Sequence, residues 1–412
     1  MRIRVSAPSI LPVTTIRLSA SKSISNRALI INALSKGQYT PENLSDCDDT
    51  NVMIKALTGN EETIDIMAAG TAMRFLTAYL SVTEGERVIT GTQRMQQRPI
   101  RILVDALRKL GADITYVDKE GFPPLRIKGE TLTGKEIELQ GNVSSQYISA
   151  LLMIAPVLKN GLRIHLTGEI ISRPYINLTL QLMKEFGAKA EWISEDTIYI
   201  YPQPYISVPF TVESDWSAAS YWYQIVALAQ NEDAEIRLPG LFQNSYQGDS
   251  KTAIIFEELG VRTTFHQNEV ILNKSGKVTS YFEYNFIDQP DLAQTFAVTC
   301  CMLNIPFRLS GLQTLKIKET DRISALIKEL GKLGFTIQEE DDSILSWNGE
   351  RTNVQANPVI DTYEDHRMAM AFAPACLKMK HIEINEPEVV SKSYPGYWKD
   401  LDIASFRTEE LV

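Results

Sequence analysis

Leu103-Val104-Asp105-Ala106-Leu107-Arg108-Lys109-Leu110-Gly111-Ala112-Asp113-Ile114-Thr115-Tyr116 changes its hydrophobic period in the middle. Up to Leu110 the apolar residues recur three and four apart, as on one face of a helix; after Gly111 polar and apolar residues alternate, as on a strand. Glycine between the two can take the left-handed conformation that closes a helix. The same helix, glycine, strand reading applies to Leu178 to Phe186 before Gly187, and to the stretches before Gly260 and Gly334, where Phe335-Thr336-Ile337-Gln338 is the predicted strand. With Gly37 upstream, these glycines stand 73 to 76 residues apart. The motif is common in α/β chains; its regular spacing is what predicts internal duplication.

A second set of helices opens on residues that can cap or bind anions. Ser21-Lys22-Ser23 precedes Ala28 to Leu34, Gly70-Thr71 precedes Met73 to Leu80, and Ser144-Ser145 precedes Tyr147 to Ile154. Asp215-Trp216-Ser217 stands before Ala218 to Ala229, Thr320-Asp321-Arg322 before Ile323 to Leu330, and Asp365-His366-Arg367 before Met368 to Leu377. Each start leaves backbone N–H groups unpaired and carries partial positive charge, so a convergence of such starts would hold phosphate or carboxylate without a metal. Lys251 to Gly260 reads as an ordinary amphipathic helix and Glu339 to Asp342 as a solvated acidic turn.

The chain of 412 residues, 44% hydrophobic and 22% charged, is large enough for two or three domains with ample cores. Its longest apolar runs, Ala150 to Val157 and Met368 to Leu377, are too short to cross a bilayer. The start of the chain lacks the apolar core of a secretory leader, so a cytoplasmic location is expected. Four cysteines form no CxxC pair and are expected as free thiols, with Cys300 and Cys301 in the core. A net charge of −10 argues against nucleic acid, although Lys and Arg residues recur in short Ser-, Thr- and Gly-containing segments, a layout suited to a small, highly anionic ligand. His165, His266 and His381 are isolated, His366 between Asp365 and Arg367 reads as structural, and no metal-ligating, P-loop or dinucleotide-binding pattern occurs. Neither metal nor cofactor is expected.

In Ser19-Ala20-Ser21-Lys22-Ser23-Ile24-Ser25-Asn26-Arg27-Ala28-Leu29, hydroxyls and two cations crowd a helix start, which suits either anion recognition or an ordinary capped, solvated end. This segment resembles a signature of the 5-enolpyruvylshikimate-3-phosphate synthase family of enolpyruvyl transferases. Further likenesses follow in the family's order: Ala69 to Arg74, Arg94 to Ile100, Val143 to Gln146, Ser172 to Tyr175, Gln247 to Asp249, Pro290-Asp291, Lys318 to Arg322, Asp365 to Met370 and Ser391 to Pro395. They span nearly the whole chain.

The resemblance implies an α/β fold of α+β type: two similar domains of three βαβαββ units each, an inside-out α/β barrel. Residues 19–212 would form an inserted domain, and 1–18 with 213–412 a discontinuous one carrying the catalytic carboxylates, with the site in the interdomain cleft. It implies transfer of enolpyruvate from phosphoenolpyruvate to the 5-hydroxyl of shikimate 3-phosphate through a tetrahedral intermediate, by a cytoplasmic monomer. Shikimate 3-phosphate would meet Lys22, Ser23, Arg27, Ser144, Ser145, Gln146, Ser172, Tyr175, Asp291, Thr314 and Lys318. Phosphoenolpyruvate would meet Lys22, Gly70, Arg98, Gln146, Arg322, Arg367 and Lys392. Asp291, Glu319 and Lys22 would be catalytic. Read without the family, Asp291 could equally cap the apolar run Leu292 to Leu303, and Glu319 could pair with Lys318 on a surface.

Three positions depart from the family's pattern. Ala68 and Thr314 stand where asparagines are usual, the latter offering one shorter donor, and Ser19-Ala20 replaces a common Pro-Gly. Gly70, which in the family leaves room for the inhibitor glyphosate, is kept, so sensitivity is expected. Among alternatives, the sister enzyme acting on UDP-N-acetylglucosamine usually carries a cysteine in its Arg-Pro loop, and Arg94 to Ile100 has none. An RNA 3′-phosphate cyclase would need a basic strand-binding surface, and a non-catalytic binding protein would not need Lys22, Asp291, Glu319 and Lys392 together.

Overall fold

The computed structural model describes residues 1–411. The chain divides into two compact units, Met1–Ser19 with Glu213–Val412, and Ala20–Val212.

Within Ala20–Val212 two four-stranded sheets follow one rule. Thr63–Asp65 pairs parallel with Gly85–Thr90, which pairs antiparallel with Leu125–Gly129, and that strand antiparallel with Asp113–Tyr116. Glu136–Gln140, Leu162–Thr167, Thr197–Ile200 and Ala190–Trp192 repeat the order and directions. The first and second strands are joined through a helix, Gly70–Ser81 in one copy and Ser145–Ile154 in the other. Strands such as Glu136–Gln140 alternate exposed and buried residues, whereas Tyr147 to Ile154 are buried all round. A helix apolar on every side belongs inside, and a strand with one polar face belongs outside. The helices Lys22–Leu34, Gly70–Ser81, Ser145–Ile154 and Arg173–Glu185 accordingly pack on one another in this core, under the sheets. The Lys22–Leu34 and Asp48–Thr58 helices have no sheet of their own among the described residues, only the parallel bridge from Glu42 to Thr211.

The other unit has three sheets on the same rule. One runs Thr14–Thr15, Glu235–Pro239, Glu269–Val278, Leu259–His266; the next Phe282–Asn285, Phe307–Ser310, Ile344–Trp347, Gln338–Glu340. The third joins Val359–Ile360 and Ile382–Asn385 to Arg2–Ser6 and Arg407–Leu411, so the first residues of the chain supply the fourth strand of its last repeat. Trp216–Leu228, Ala293–Leu303 and His366–Phe372 are the internal helices, with Trp216, Trp222, Phe256 and Phe296 in the core they share.

All six predicted helix starts form, and five carry a side-chain cap, Ser144 Oγ accepting from the Gln146 N–H at 3.4 Å. Ser21 Oγ accepts from the Ile24 N–H, Asp215 Oδ1 from Ala218 at 2.9 Å, Asp321 Oδ1 from Ser324 at 3.1 Å, and Asp365 Oδ1 from Arg367 at 2.9 Å. Gly111, Gly187 and Gly334 are left-handed, with φ of 104°, 78° and 84°, as helix closure requires.

Four readings are corrected. Lys251 to Gly260 is not a helix of full length: only Thr252–Ile255 is α-helical, and Leu259 already opens a strand whose register shifts at Gly260, φ 84°. That strand's pairing with Glu269–Val278 uses the backbone a longer helix would need. The strand predicted at Phe335 begins at Gln338, because Phe335 N–H still bonds the Leu330 carbonyl and the chain spends three residues leaving the helix. Glu339 thus lies in a strand, paired with Lys316 Nζ at 2.6 Å, and only Asp341 and Asp342 form the turn. The helix read as Met368 to Leu377 is α-helical to Phe372 and tightens to a 3-10 turn over Ala373–Leu377, with Pro374 inside it. The four cysteines are free and buried. Among the described residues no helix is long and apolar enough to cross a membrane.

Candidate active site

In Ala20–Val212 the sequence-selected residues gather at helix starts. Lys22 opens the Lys22–Leu34 helix and its Nζ lies 3.4 Å from Asp49 Oδ2, a nearly buried carboxylate that the sequence reading gave no role. Ser23 lends its carbonyl to Arg27 Nη1 at 2.9 Å. Arg27 is 3% exposed; its Nε donates to Thr179 Oγ1 at 2.7 Å and its Nη2 to Ser149 Oγ at 3.1 Å, while its guanidinium sits 5.1 Å from the centre of the Phe75 ring. Burial pushes the Arg27 guanidinium down to about 10, with nearby Tyr175 opposing the fall.

Gly70 opens the next internal helix, and a Cβ there would stand 2.6 Å from Arg98 Nη1, so the glycine is what lets this guanidinium approach the helix start. Arg98 Nε is buried and has no protein partner among the described residues. Arg74, one turn into the helix, reaches back to the Gly70 carbonyl at 3.1 Å. Ser144 and Ser145 begin the third helix, whose Gln146 Nε2 donates to Thr71 Oγ1 at 3.1 Å and whose Tyr147 hydroxyl donates to the Pro99 carbonyl at 2.6 Å. Gly70, Arg98 and Gln146 are therefore tied into one place. Ser172, left-handed at φ 54°, caps the Arg173–Glu185 helix, and Tyr175 N–H bonds its carbonyl.

The second group lies in the other unit. Asp291 does not cap the Ala293–Leu303 helix; it sits in the 3-10 turn Pro290–Leu292 before it, and three cations converge on it. Arg322 Nη1 and Lys318 Nζ reach Asp291 Oδ1 at 2.9 and 3.3 Å, and Arg367 Nη2 reaches Oδ2 at 3.1 Å. Burial alone would raise this carboxyl, but the combined charge of Arg367, Lys318 and Arg322 outweighs burial and holds it well below the usual carboxylate range. Glu319 is no surface residue: Arg322 Nη2 meets its Oε2 at 2.8 Å and Lys392 Nζ its Oε1 at 3.2 Å.

Arg322 is thus shared by three carboxylates, since its Nε also donates to Asp365 Oδ2 at 2.6 Å. Asp365, wholly buried, accepts the Arg367 N–H as well and so couples the two arginines. The sequence reading gave Asp365 no role beyond a helix start within the Asp365 to Met370 likeness; a cap aspartate flanked by a needed arginine was the signal for more. Asp249 was quoted only within a motif. It is buried, accepts the Ser217 hydroxyl, and is pushed up to about 6 by burial and then by the Asp291 charge. Thr314 lies in the 3-10 turn Gln313–Ile317 with a buried hydroxyl that has no protein partner among the described residues. His366 is buried against Asp365, its Nδ1 at 3.8 Å, in keeping with a structural role. Among the described residues no group of His, Cys, Asp and Glu is arranged to hold a metal ion.

Chemically, the first group offers N–H dipoles, hydroxyls and cations to anions, and the second offers ionised carboxylates that can exchange protons, set among cations that can hold more negative charge.

The chain matches the family model described as EPSP synthase (3-phosphoshikimate 1-carboxyvinyltransferase) over residues 12–60 and 58–401. It is 66% identical over 406 residues to a 3-phosphoshikimate 1-carboxyvinyltransferase of Bacteroides fragilis, covering 98% of each chain. A Vibrio campbellii protein of the same name is 37% identical, over 95% of this chain and 96% of that one. Among solved structures, EPSP synthase from Acinetobacter baumannii superposes with a TM-score of 0.79 at 19% identity, covering 99% of this chain and 100% of that one, a likeness that speaks to fold alone.

Proposed function

Because this chain belongs to the EPSP synthase (3-phosphoshikimate 1-carboxyvinyltransferase) family and has its two-domain α/β fold, we propose that its transferase chemistry moves enolpyruvate from phosphoenolpyruvate to the 5-hydroxyl of shikimate 3-phosphate. The observation that carries this reading is the convergence of Lys318, Arg322 and Arg367 on Asp291, with Glu319 held between Arg322 and Lys392. Two substrates bearing two phosphates and two carboxylates need that many cations.

In this reading Lys22, Ser23, Arg27, Ser144, Ser145, Gln146, Ser172, Tyr175, Asp291, Thr314 and Lys318 hold shikimate 3-phosphate. Lys22, Gly70, Arg98, Gln146, Arg322, Arg367 and Lys392 hold phosphoenolpyruvate. A proton adds to the methylene carbon of phosphoenolpyruvate, the 5-hydroxyl oxygen attacks the neighbouring carbon, and Asp291 takes the hydroxyl proton. The tetrahedral adduct then expels inorganic phosphate and loses a methyl proton, restoring the double bond as an enol ether. Glu319 and Lys22 handle the protons at that carbon. Asp291 is too acidic for a good base while three cations hold it, so substrate anions that draw off Arg322 and Arg367 raise its basicity when it is needed. Cations that remain stabilise charge as it shifts between substrate oxygens.

The two groups of residues belong to different units, and the reading requires them to act on one pair of substrates. Saturating shikimate 3-phosphate should therefore compact the protein in small-angle scattering, and an unchanged profile would remove this part. We expect a cytoplasmic monomer, which sedimentation of purified protein checks for oligomeric state. Retention of Gly70, the residue that leaves room for glyphosate in the family, makes inhibition by it the expected result, and full turnover at saturating inhibitor would contradict it.

The deciding assay mixes purified protein with both substrates, without added metal, and follows phosphate release. Turnover with shikimate 3-phosphate and none with UDP-N-acetylglucosamine is expected; the reverse would assign the sister activity, and silence with both would leave a binding protein.

A further inference from the structure

The Arg322–Lys332 helix grips the segment 359–367 at two places, and the site uses only the first, where Arg322 holds Asp365. Seven residues on, two turns along the same face, stands Glu329, wholly buried. One Glu329 oxygen accepts the Tyr363 hydroxyl. The other accepts the Asp361 backbone N–H at 3.0 Å and pairs with Lys332 Nζ at 2.6 Å. Lys332 Nζ also donates to Asp361 Oδ2 and to the Val359 carbonyl, each at 2.9 Å, and the Asn385 amide holds the remaining Asp361 oxygen at 2.6 Å. The segment is thus clamped to the helix at 359–363 and again at 365.

Between the clamps Tyr363 and Glu364 are both left-handed, with φ of 54° and 57°. Residues with side chains rarely adopt this conformation, and two in a row persist only where their surroundings enforce it. The next residue is Asp365, whose N–H is bonded to the Thr362 carbonyl and whose carboxylate sets both arginines. A buried carboxylate with its own lysine is a weak stabiliser, because desolvation offsets the attraction. Apolar side chains could fill the same space. What they could not do is hold a backbone N–H and a hydroxyl in fixed directions.

We propose that Glu329, with Lys332 and Tyr363, is a positioning device for the reaction: it enforces the Tyr363–Glu364 turn and so sets Asp365, and through it the placing of Arg322 and Arg367. The proposal rests on the assignment of those two arginines to phosphoenolpyruvate. None of the three residues is assigned to a substrate, so their effect reaches the reaction only through Asp365.

The test is steady-state kinetics of Tyr363→Phe and Glu329→Gln with each substrate varied in turn, beside thermal unfolding. Tyr363→Phe keeps the ring and removes one hydroxyl. It should raise KM for phosphoenolpyruvate about five- to tenfold, leave KM for shikimate 3-phosphate within about twofold, and lower Tm by only a few degrees. Glu329→Gln should move the same constant further. A drop in Tm with kinetics unchanged, or equal rises in both KM values, would overturn the proposal, and if Glu329→Gln does not fold, Tyr363→Phe alone decides it. An unaltered protein without turnover would instead overturn the proposed activity.

Discussion

Arg27 and Arg322 are both buried guanidiniums in the first two turns of helices, one in each unit, and burial opposes the charge of both. Their fates differ because their neighbours differ. Around Arg27 stand two hydroxyls, a carbonyl and the face of Phe75, and no carboxylate pairs with it among the described residues. Its pKa falls to about 10. Around Arg322 stand Asp365, Glu319 and Asp291, whose combined charge more than cancels the cost of burial and pushes its pKa up. One region is therefore short of an anion, and the other is already supplied with them. A phosphate entering the first adds a missing partner; entering the second, it must compete with carboxylates built into the protein, and in competing it frees them for proton transfer.

The largest expected effect breaks that contrast directly. Arg322→Met leaves three carboxylates without their shared cation and should cost about 3–5 kcal/mol of unfolding free energy. Arg27→Met should cost only about 1–2 kcal/mol, because Thr179 and Ser149 already bond each other at 2.9 Å and need no cation. Both should lose most turnover. Urea unfolding of the two variants checks the difference, and equal losses would mean that the carboxylates around Arg322 do not set the two regions apart.

Much of this was legible in the chain because it is local. The six helix starts follow from capping chemistry and hydrophobic period, and the left-handed glycines from helix closure. Lys251 to Gly260 misled because its apolar spacing fits a helix, while the hairpin that Leu259–His266 makes with Glu269–Val278 claims its last residues. Arg2–Ser6 alternates as any strand does, and nothing in it announces that it completes a sheet with residues near 385 and 410. The candidate site divides the same way. Which residues belong to it could be read from the motifs; which carboxylate holds which cation could not, since Arg322 to Asp365 and Arg367 to Asp291 join residues 43 and 76 apart. Asp49 and Glu329 lay in no quoted motif, and only their burial and partners single them out.

A smaller effect, on the order of 3 kcal/mol at most, sharpens the account of the carboxylate-rich region. Where the cations already serve Asp291, Glu319 and Asp365, burial and neighbouring negative charge should outweigh them at a further acid, and Asp249 is that acid. Burial, then the charge of Asp291, raises it to about 6, with Asp215 adding to the rise while Ser217 and Arg367 oppose it. A carboxyl whose folded pKa exceeds its unfolded value of about 3.9 favours folding when protonated. That contribution is complete below about pH 4 and is lost as pH rises through 6. Asp291, shifted the other way, loses its contribution only well below pH 4 and leaves this window clear. Asp249→Asn should therefore be more stable than the unaltered protein at pH 7, by a margin that grows from pH 4 to 6 and is flat above. A constant margin across that range would show that Asp249 is not the group titrating.

The smallest effect tests the anion-poor region through one methyl group. A Cβ on Gly70 would stand 2.6 Å from Arg98 Nη1 and 3.1 Å from its Cζ, too close to keep, but the obstacle is the end of a flexible side chain that can swing away. Gly70 is the first residue of its helix, where alanine is the better helix former, so Gly70→Ala should leave stability unchanged or raise it by about 0.5 kcal/mol. What must change is where Arg98 points. If Arg98 holds phosphoenolpyruvate, KM for that substrate should rise about tenfold, close to 1.4 kcal/mol, with KM for shikimate 3-phosphate little altered. Stability and affinity would then move in opposite directions, which separates a displaced ligand contact from general damage. An unchanged KM with Arg98 displaced would take that arginine out of the site and leave Lys22, Gln146 and the carboxylate-rich region to bind phosphoenolpyruvate.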